Sequence, residues 1–181
     1  MAFILLGLRV VPGLVLVLFG LAKAFEHQAA GVAAVRGYRL LGPRSSAIVS
    51  AALPGAEIAL GVLLSLGIET RAAGVLSAAL FVGFSAAMAS ALLRGVANEC
   101  GCGGALRTGE VRWPLVARNG LLAASAASAA LLGPGDLSLS ALTADSPVEG
   151  AVVLVAALGA TVLAFARLLQ AKTPPAATTG R

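Results

Sequence analysis

From Ala72 to Leu93 the chain carries no charged residue at all. An apolar helix of roughly 20 residues is the length that crosses the hydrocarbon core of a bilayer. Inside that core each backbone polar group must be satisfied within the segment, and a helix does this. Comparable stretches run from about Phe3 to Ala24, Ala47 to Leu66, Trp113 to Leu132 and Val148 to Leu169. The reading is an all-α, polytopic membrane helical bundle with a four-helix core and a fifth, C-terminal span. Residues 1–170 form a single transmembrane domain, and residues 171–181 read as a disordered tail containing Pro174-Pro175. The first stretch resembles a signal peptide in its hydrophobicity. Its apolar run continues past Arg9 to Leu21, however, and Lys23, Phe25, Glu26 and His27 follow instead of a small-residue cleavage site, so a retained span is expected.

Composition excludes the main alternatives. Hydrophobic residues make up 59% of the chain and charged residues 12%, where soluble domains average about 45–50% and about 25%. Mean hydropathy is +0.95. A water-soluble globule of this size cannot hide so much apolar surface, and disorder needs the opposite balance. The surplus lies in Ala, Leu, Val and Gly, which suits helices packed closely in lipid.

Net charge is +5, yet no Lys/Arg-rich run with interleaved aromatics is present, so no nucleic-acid partner is expected. The basic residues flank spans and face lipid headgroups. With five spans, Lys23, Arg36, Arg39, Arg44, Arg94, Arg107, Arg112, Arg167, Lys172 and Arg181 fall on one side. Arg71 falls on the other, joined by Arg9 if it snorkels that way. Between the first two spans, Glu26 to Ser46 is too polar to cross. Val32, Val35 and Tyr38 recur there at a three-residue step, which predicts a short interfacial helix ended by Gly42-Pro43.

The two cysteines of the chain sit together as Cys100-Gly101-Cys102, followed by Gly103-Gly104, in the loop between the third and fourth spans. A shared role follows from that placement, and three roles compete. A strained Cys-x-Cys disulfide is labile and suits thiol–disulfide exchange. Arg94 and Arg107 favour the thiolate and Glu99 opposes it. Metal binding is the second role. Structural zinc wants four Cys/His ligands, and two Cys with one His do not complete such a site, although two thiolates suit Cu(I); no metal is assigned. An inert loop disulfide or thiol pair is the third.

Glu57 lies near the middle of the second span. A charge at that depth is costly and is paired or functional. Arg118, several residues inside the fourth span, is its expected partner; Lys23 is shallower. The pair either fixes helix register or handles protons near the thiols. His27, the one histidine, lies on the cysteine side. It is either a base for a thiol or an ordinary interfacial residue. Pro54 frees a backbone carbonyl near Glu57, and Trp113-Pro114 reads as a span start.

The order of these elements resembles a known family. Arg9 opens the first span and Gly20-Leu21-Ala22-Lys23 closes it. Tyr38 precedes Leu40-Leu41-Gly42-Pro43, and the second span holds Leu53-Pro54 and Glu57. Arg94-Gly95, Cys100-Gly101-Cys102-Gly103-Gly104, Trp113, Leu115, Arg118 and Asn119 follow. From about Leu5 to Leu132 this is similar to the MauE branch of the DoxX-like membrane proteins, named for methylamine utilisation. The resemblance implies a four-helix membrane core and a redox-associated role. That role is the maturation of an exported, disulfide-rich client of the methylamine dehydrogenase β-subunit type, alongside a thioredoxin-like partner. Cys100, Cys102, Glu57 and Arg118 match the family's positions. Gly103-Gly104 replaces the family's usual Phe-Gly after the second cysteine, which changes how the thiols are shielded or docked. A looser similarity links the chain to quinone-linked thiol oxidoreductases of the vitamin K epoxide reductase type. The cofactor stays unknown, with a quinone as the candidate.

Three functions follow. The chain is a membrane thiol–disulfide carrier acting through Cys100 and Cys102, a non-catalytic scaffold for a redox partner, or a small transporter using Glu57 and Arg118. Location in the cell membrane is common to all three. The charge distribution places the cysteine loop in the cytoplasm, whereas disulfide chemistry and the resemblance place it outside. The expectation adopted is an exterior loop with the N-terminus inside.

Overall fold

The computed structural model of the chain describes residues 2–96 and 110–133, with side chains from Leu6 onward. Cys100, Cys102, the expected fifth span and the tail lie outside the described residues. Five helices are present: α1 (Ala2–Ala24), α2 (Gln28–Gly37), α3 (Pro43–Leu66), α4 (Thr70–Leu93) and α5 (Trp113–Leu132). Four of them, α1, α3, α4 and α5, are long and apolar enough to cross a membrane. No strand occurs among the described residues, and the chain is a polytopic helical membrane protein.

The bundle consists of two tight helix pairs, α1 with α3 and α4 with α5, joined by contacts of α1 with α5 and of α3 with α4. Each pair closes on small residues. A Cβ on Gly61 would lie 2.8 Å from Val17 Cγ2 and 2.9 Å from the Val17 amide, and one on Gly20 would lie 2.9 Å from the Pro54 carbonyl. In the second pair, a Cβ on Gly74 would lie 2.8 Å from the Ala126 carbonyl. In lipid the hydrophobic effect does not drive helices together, so this backbone approach and its dispersion contacts carry the association. Larger side chains fill the layers between: Leu16, Phe81, Leu122 and Ala123 form one buried cluster, and Leu64, Ala73, Ala126 and Ala129 another.

Pro12 lies inside α1. Its missing N–H leaves the carbonyl four residues back, that of Leu8, without its helical donor. Ser125 Oγ on α5 donates to that carbonyl at 2.9 Å. A serine on a neighbouring helix thus restores a bond that hydrocarbon cannot supply.

The helix ends are locally encoded. Pro43 takes the first turn of α3, where its lack of an N–H costs nothing. Gly42-Pro43 therefore opens α3 and does not end the preceding short helix, as the sequence suggested. That helix, α2, ends at Gly37, and Arg39 follows in the left-handed region at φ 53°. At the other end of α3, Gly67 turns left-handed at φ 74°. Ile68 N then donates to Leu63 O at 3.0 Å and Gly67 N to Leu64 O at 3.2 Å, the paired bonds that close a helix C-terminus on glycine.

The helices do not end level. Gly20 on α1 lies against Pro54 and Glu57 on α3. From that level α1 continues for four residues, whereas α3 extends back to Pro43, so α3 overshoots the end of α1 by roughly 10 Å at 1.5 Å per residue. The short helix α2 packs on this overhanging part of α3.

Candidate functional site: a sealed ion pair beneath an apolar cavity

Glu57 is fully buried, and its Oε1 accepts a hydrogen bond from Lys23 Nζ in a salt bridge. The expected Glu57–Arg118 pair is therefore corrected. Lys23 looked too shallow because it sits in the last turn of α1. But α1 stops short of its neighbours, so its last turn lies at the depth of Pro54 and Glu57 and not at the membrane surface. Glu57 Oε2 is buried without a hydrogen-bond partner among the described residues.

Arg118 turns elsewhere. Its guanidinium carbon lies 5.3 Å from the centre of the Phe19 ring, a cation–π distance. Beside it Asn119 is 1% exposed, and neither atom of its side-chain amide has a partner among the described residues. Ser77 Oγ is buried in the same state. Arg9 is 2% exposed, so it points into the bundle and does not snorkel outward. The interior thus carries several buried polar side chains in an otherwise apolar bundle, and such groups in lipid mark function or register.

Directly past the end of α1 is a cavity of about 650 Å³. Lys23 and Ala24 form its floor, and α3 (Val49 to Pro54) and α4 (Ala79 to Ala87) its walls. Gly31, Ala34 and Val35 of α2, with Tyr38 just after it, close one side. The apolar stripe read as an interfacial face of this helix, with its Val35 and Tyr38, thus turns toward the cavity. Lys23 Nζ stands 4.9 Å from the centre of the Phe84 ring, which also lines the cavity. His27 caps the N-terminus of α2 through its carbonyl, which accepts from Ala30 N at 2.9 Å, and it borders the same cavity.

Arg94 holds this end together. Its Nη2 donates to the Tyr38 carbonyl at 2.6 Å and its Nε to the Ser90 carbonyl at 2.9 Å, tying the chain after α2 to the end of α4. Tyr38, Met88, Ala91 and Val111 pack as a cluster, with Val96 against it. Val96 and Val111 belong to the two flanks of the cysteine stretch, so both flanks join the bundle at the end that carries His27 and the cavity. Among the described residues no group of three or more His, Cys, Asp or Glu side chains could hold a metal.

Sequence reasoning singled out Glu57, Arg118 and His27, and the structure brings Glu57 and His27 to one end through Lys23, leaving Arg118 on Phe19. It missed Lys23 as the partner, and it missed Phe84 and Tyr38 as cavity residues. The signal for Lys23 was its place in the last turn of a span, which is informative only once the neighbouring helices are known to run further.

The fold and this site define a multi-pass helical membrane protein with an ion pair sealed inside its bundle. The family model described as methylamine utilisation protein MauE matches residues 1–133. The methylamine utilization protein MauE of Paracoccus denitrificans is 35% identical over 164 residues, covering 88% of this chain and 82% of its own length. The chain belongs to the MauE family. The match to the Paracoccus protein is too long to stop at the end of α5, so likeness extends into the region of the expected fifth span, further than the sequence reading placed it. No solved structure matches the chain.

Proposed function

We propose that this chain is a thiol–disulfide carrier of the cell membrane, acting through Cys100 and Cys102. It serves the maturation of an exported, disulfide-containing protein, of the methylamine dehydrogenase β-subunit type. The observation that carries the reading is the placement of the two cysteines around a single glycine, in a stretch whose flanks pack at the His27 end of the bundle. The Cys100–Cys102 disulfide is reduced as two thiols of the client are oxidised, through a mixed disulfide between one chain cysteine and one client sulfur. The resulting dithiol passes two electrons and two protons to the disulfide of a thioredoxin-like partner and is oxidised again. The stretch faces the exterior, where thiols are not held reduced. The Lys23–Glu57 bond takes one basic residue out of the loop charges that argue for the cytoplasm.

The test is client maturation in cells carrying Cys100→Ser with Cys102→Ser. A carrier loses the client's disulfides while the membrane protein accumulates normally. Normal maturation with both cysteines gone refutes the reading and leaves a scaffold.

A further inference from the structure

The cavity above the Lys23–Glu57 pair has a chemistry of its own. Its walls come from apolar side chains of α2, α3 and α4, and its volume of about 650 Å³ lies in the range of small-molecule sites. Its floor is polar. Lys23 has three N–H donors, and one goes to Glu57, so two remain at the one charged side chain of the pair that lines the cavity. Glu57, sealed behind it, already balances the ammonium charge. Glu26 also borders the cavity. An anionic ligand would meet an ammonium whose charge Glu57 already balances, and a cationic one would meet the ammonium itself. A neutral hydrogen-bond acceptor fits both constraints. Phe84, over whose ring the ammonium stands and which also lines the cavity, puts an aromatic side chain within reach of a ring held at Lys23. Gly83 on α4 leaves open space beside it, since a Cβ there would meet nothing within 4 Å.

The structure assigns this cavity as a binding site for a neutral, lipid-soluble molecule with a ring head that carries a carbonyl. The carbonyl accepts from Lys23 Nζ, the ring lies along Phe84, and the apolar remainder follows Leu53, Leu80 and Val49. The assignment stands apart from the thiol reading, since no step of it uses Cys100 or Cys102.

A photoreactive azido-quinone with a short alkyl tail is the probe, applied to the full-length protein in nanodiscs. The expected label maps to peptides of α2, α3 or α4 around the cavity, and decyl-ubiquinone competes it away. Dodecane, which has a tail and no carbonyl, and palmitate, which has an anionic head, compete at least tenfold more weakly. Gly83→Leu fills the cavity from a position with free space around it, and it weakens decyl-ubiquinone binding at least tenfold. The double variant Cys100→Ser/Cys102→Ser binds like the wild type. Equal competition by all three molecules identifies an unselective acyl-chain groove and overturns the assignment. So does a label that maps away from the cavity, or unchanged binding in a folded Gly83→Leu protein. Mapping on the wild type decides the question if that variant does not fold.

Discussion

Replacing Lys23 by Met removes the one hydrogen-bond partner that the described residues give Glu57. At an ordinary ion-pair separation near 2.8 Å and an effective dielectric of about 20, the lost attraction amounts to about 6 kcal/mol. The expected loss is smaller, because a stranded carboxylate can take up a proton. For a glutamate of ordinary acidity that uptake costs about 3.7 kcal/mol at pH 7, which caps the effect and agrees with the 3–5 kcal/mol found when one partner of a buried pair is removed. Lys23→Met/Glu57→Leu removes both charges and returns stability to within about 1 kcal/mol of the wild type, since an apolar pair of similar volume replaces a buried ion pair at little cost. Denaturant titration of the purified protein in detergent measures both effects. A Lys23→Met protein within about 0.5 kcal/mol of wild type, or a coupling energy found between Glu57 and Arg118 in place of Lys23, would refute the pairing.

Three further outcomes are expected. Ser125→Ala strands the Leu8 carbonyl and costs about 1–3 kcal/mol; in a Pro12→Ala background the helical donor is back and the cost of Ser125→Ala falls close to zero, a coupling that a four-protein thermal cycle reads directly. Gly74→Ala drives a methyl group against the Ala126 carbonyl and destabilises by about 1–3 kcal/mol, whereas Gly55→Ala, with nothing within 4 Å of the new carbon, is neutral or slightly stabilising; equal effects in melting experiments would contradict the packing. Arg94→Ala releases the Tyr38 carbonyl from α4 and speeds amide exchange in α2 and around Tyr38 at least tenfold, with α1 and α5 unchanged; uniform exchange across the helices would show that Arg94 is not a local clamp.

The four spans were legible because each is a continuous apolar run, and lipid leaves such a run one solution. The existence of α2 was legible from the step between Val32, Val35 and Tyr38. Its role was not, because the space it covers arises from α1 ending before α3 and α4, and helix ends read one at a time do not reveal their relative levels. The same unevenness hid Lys23 as the partner of Glu57. Glu57 itself stood out, since a lone carboxylate in a hydrophobic run is conspicuous wherever its partner lies. Pro12 and Ser125 stood for nothing in sequence: the bond joins positions separated by 117 residues, and serine is common in membrane helices. Cys100 and Cys102 were legible by their isolation alone.

The most direct test of the carrier reading is the state and side of those two thiols in intact cells. A membrane-impermeant, mass-shifting maleimide is added before and after mild reduction. The expected result is no shift in the oxidised protein and a shift of two labels after reduction, without lysis, which Cys100→Ser/Cys102→Ser abolishes. Labelling only after lysis would place the stretch in the cytoplasm, and thiols that remain free under oxidising and reducing conditions alike would contradict a disulfide carrier altogether.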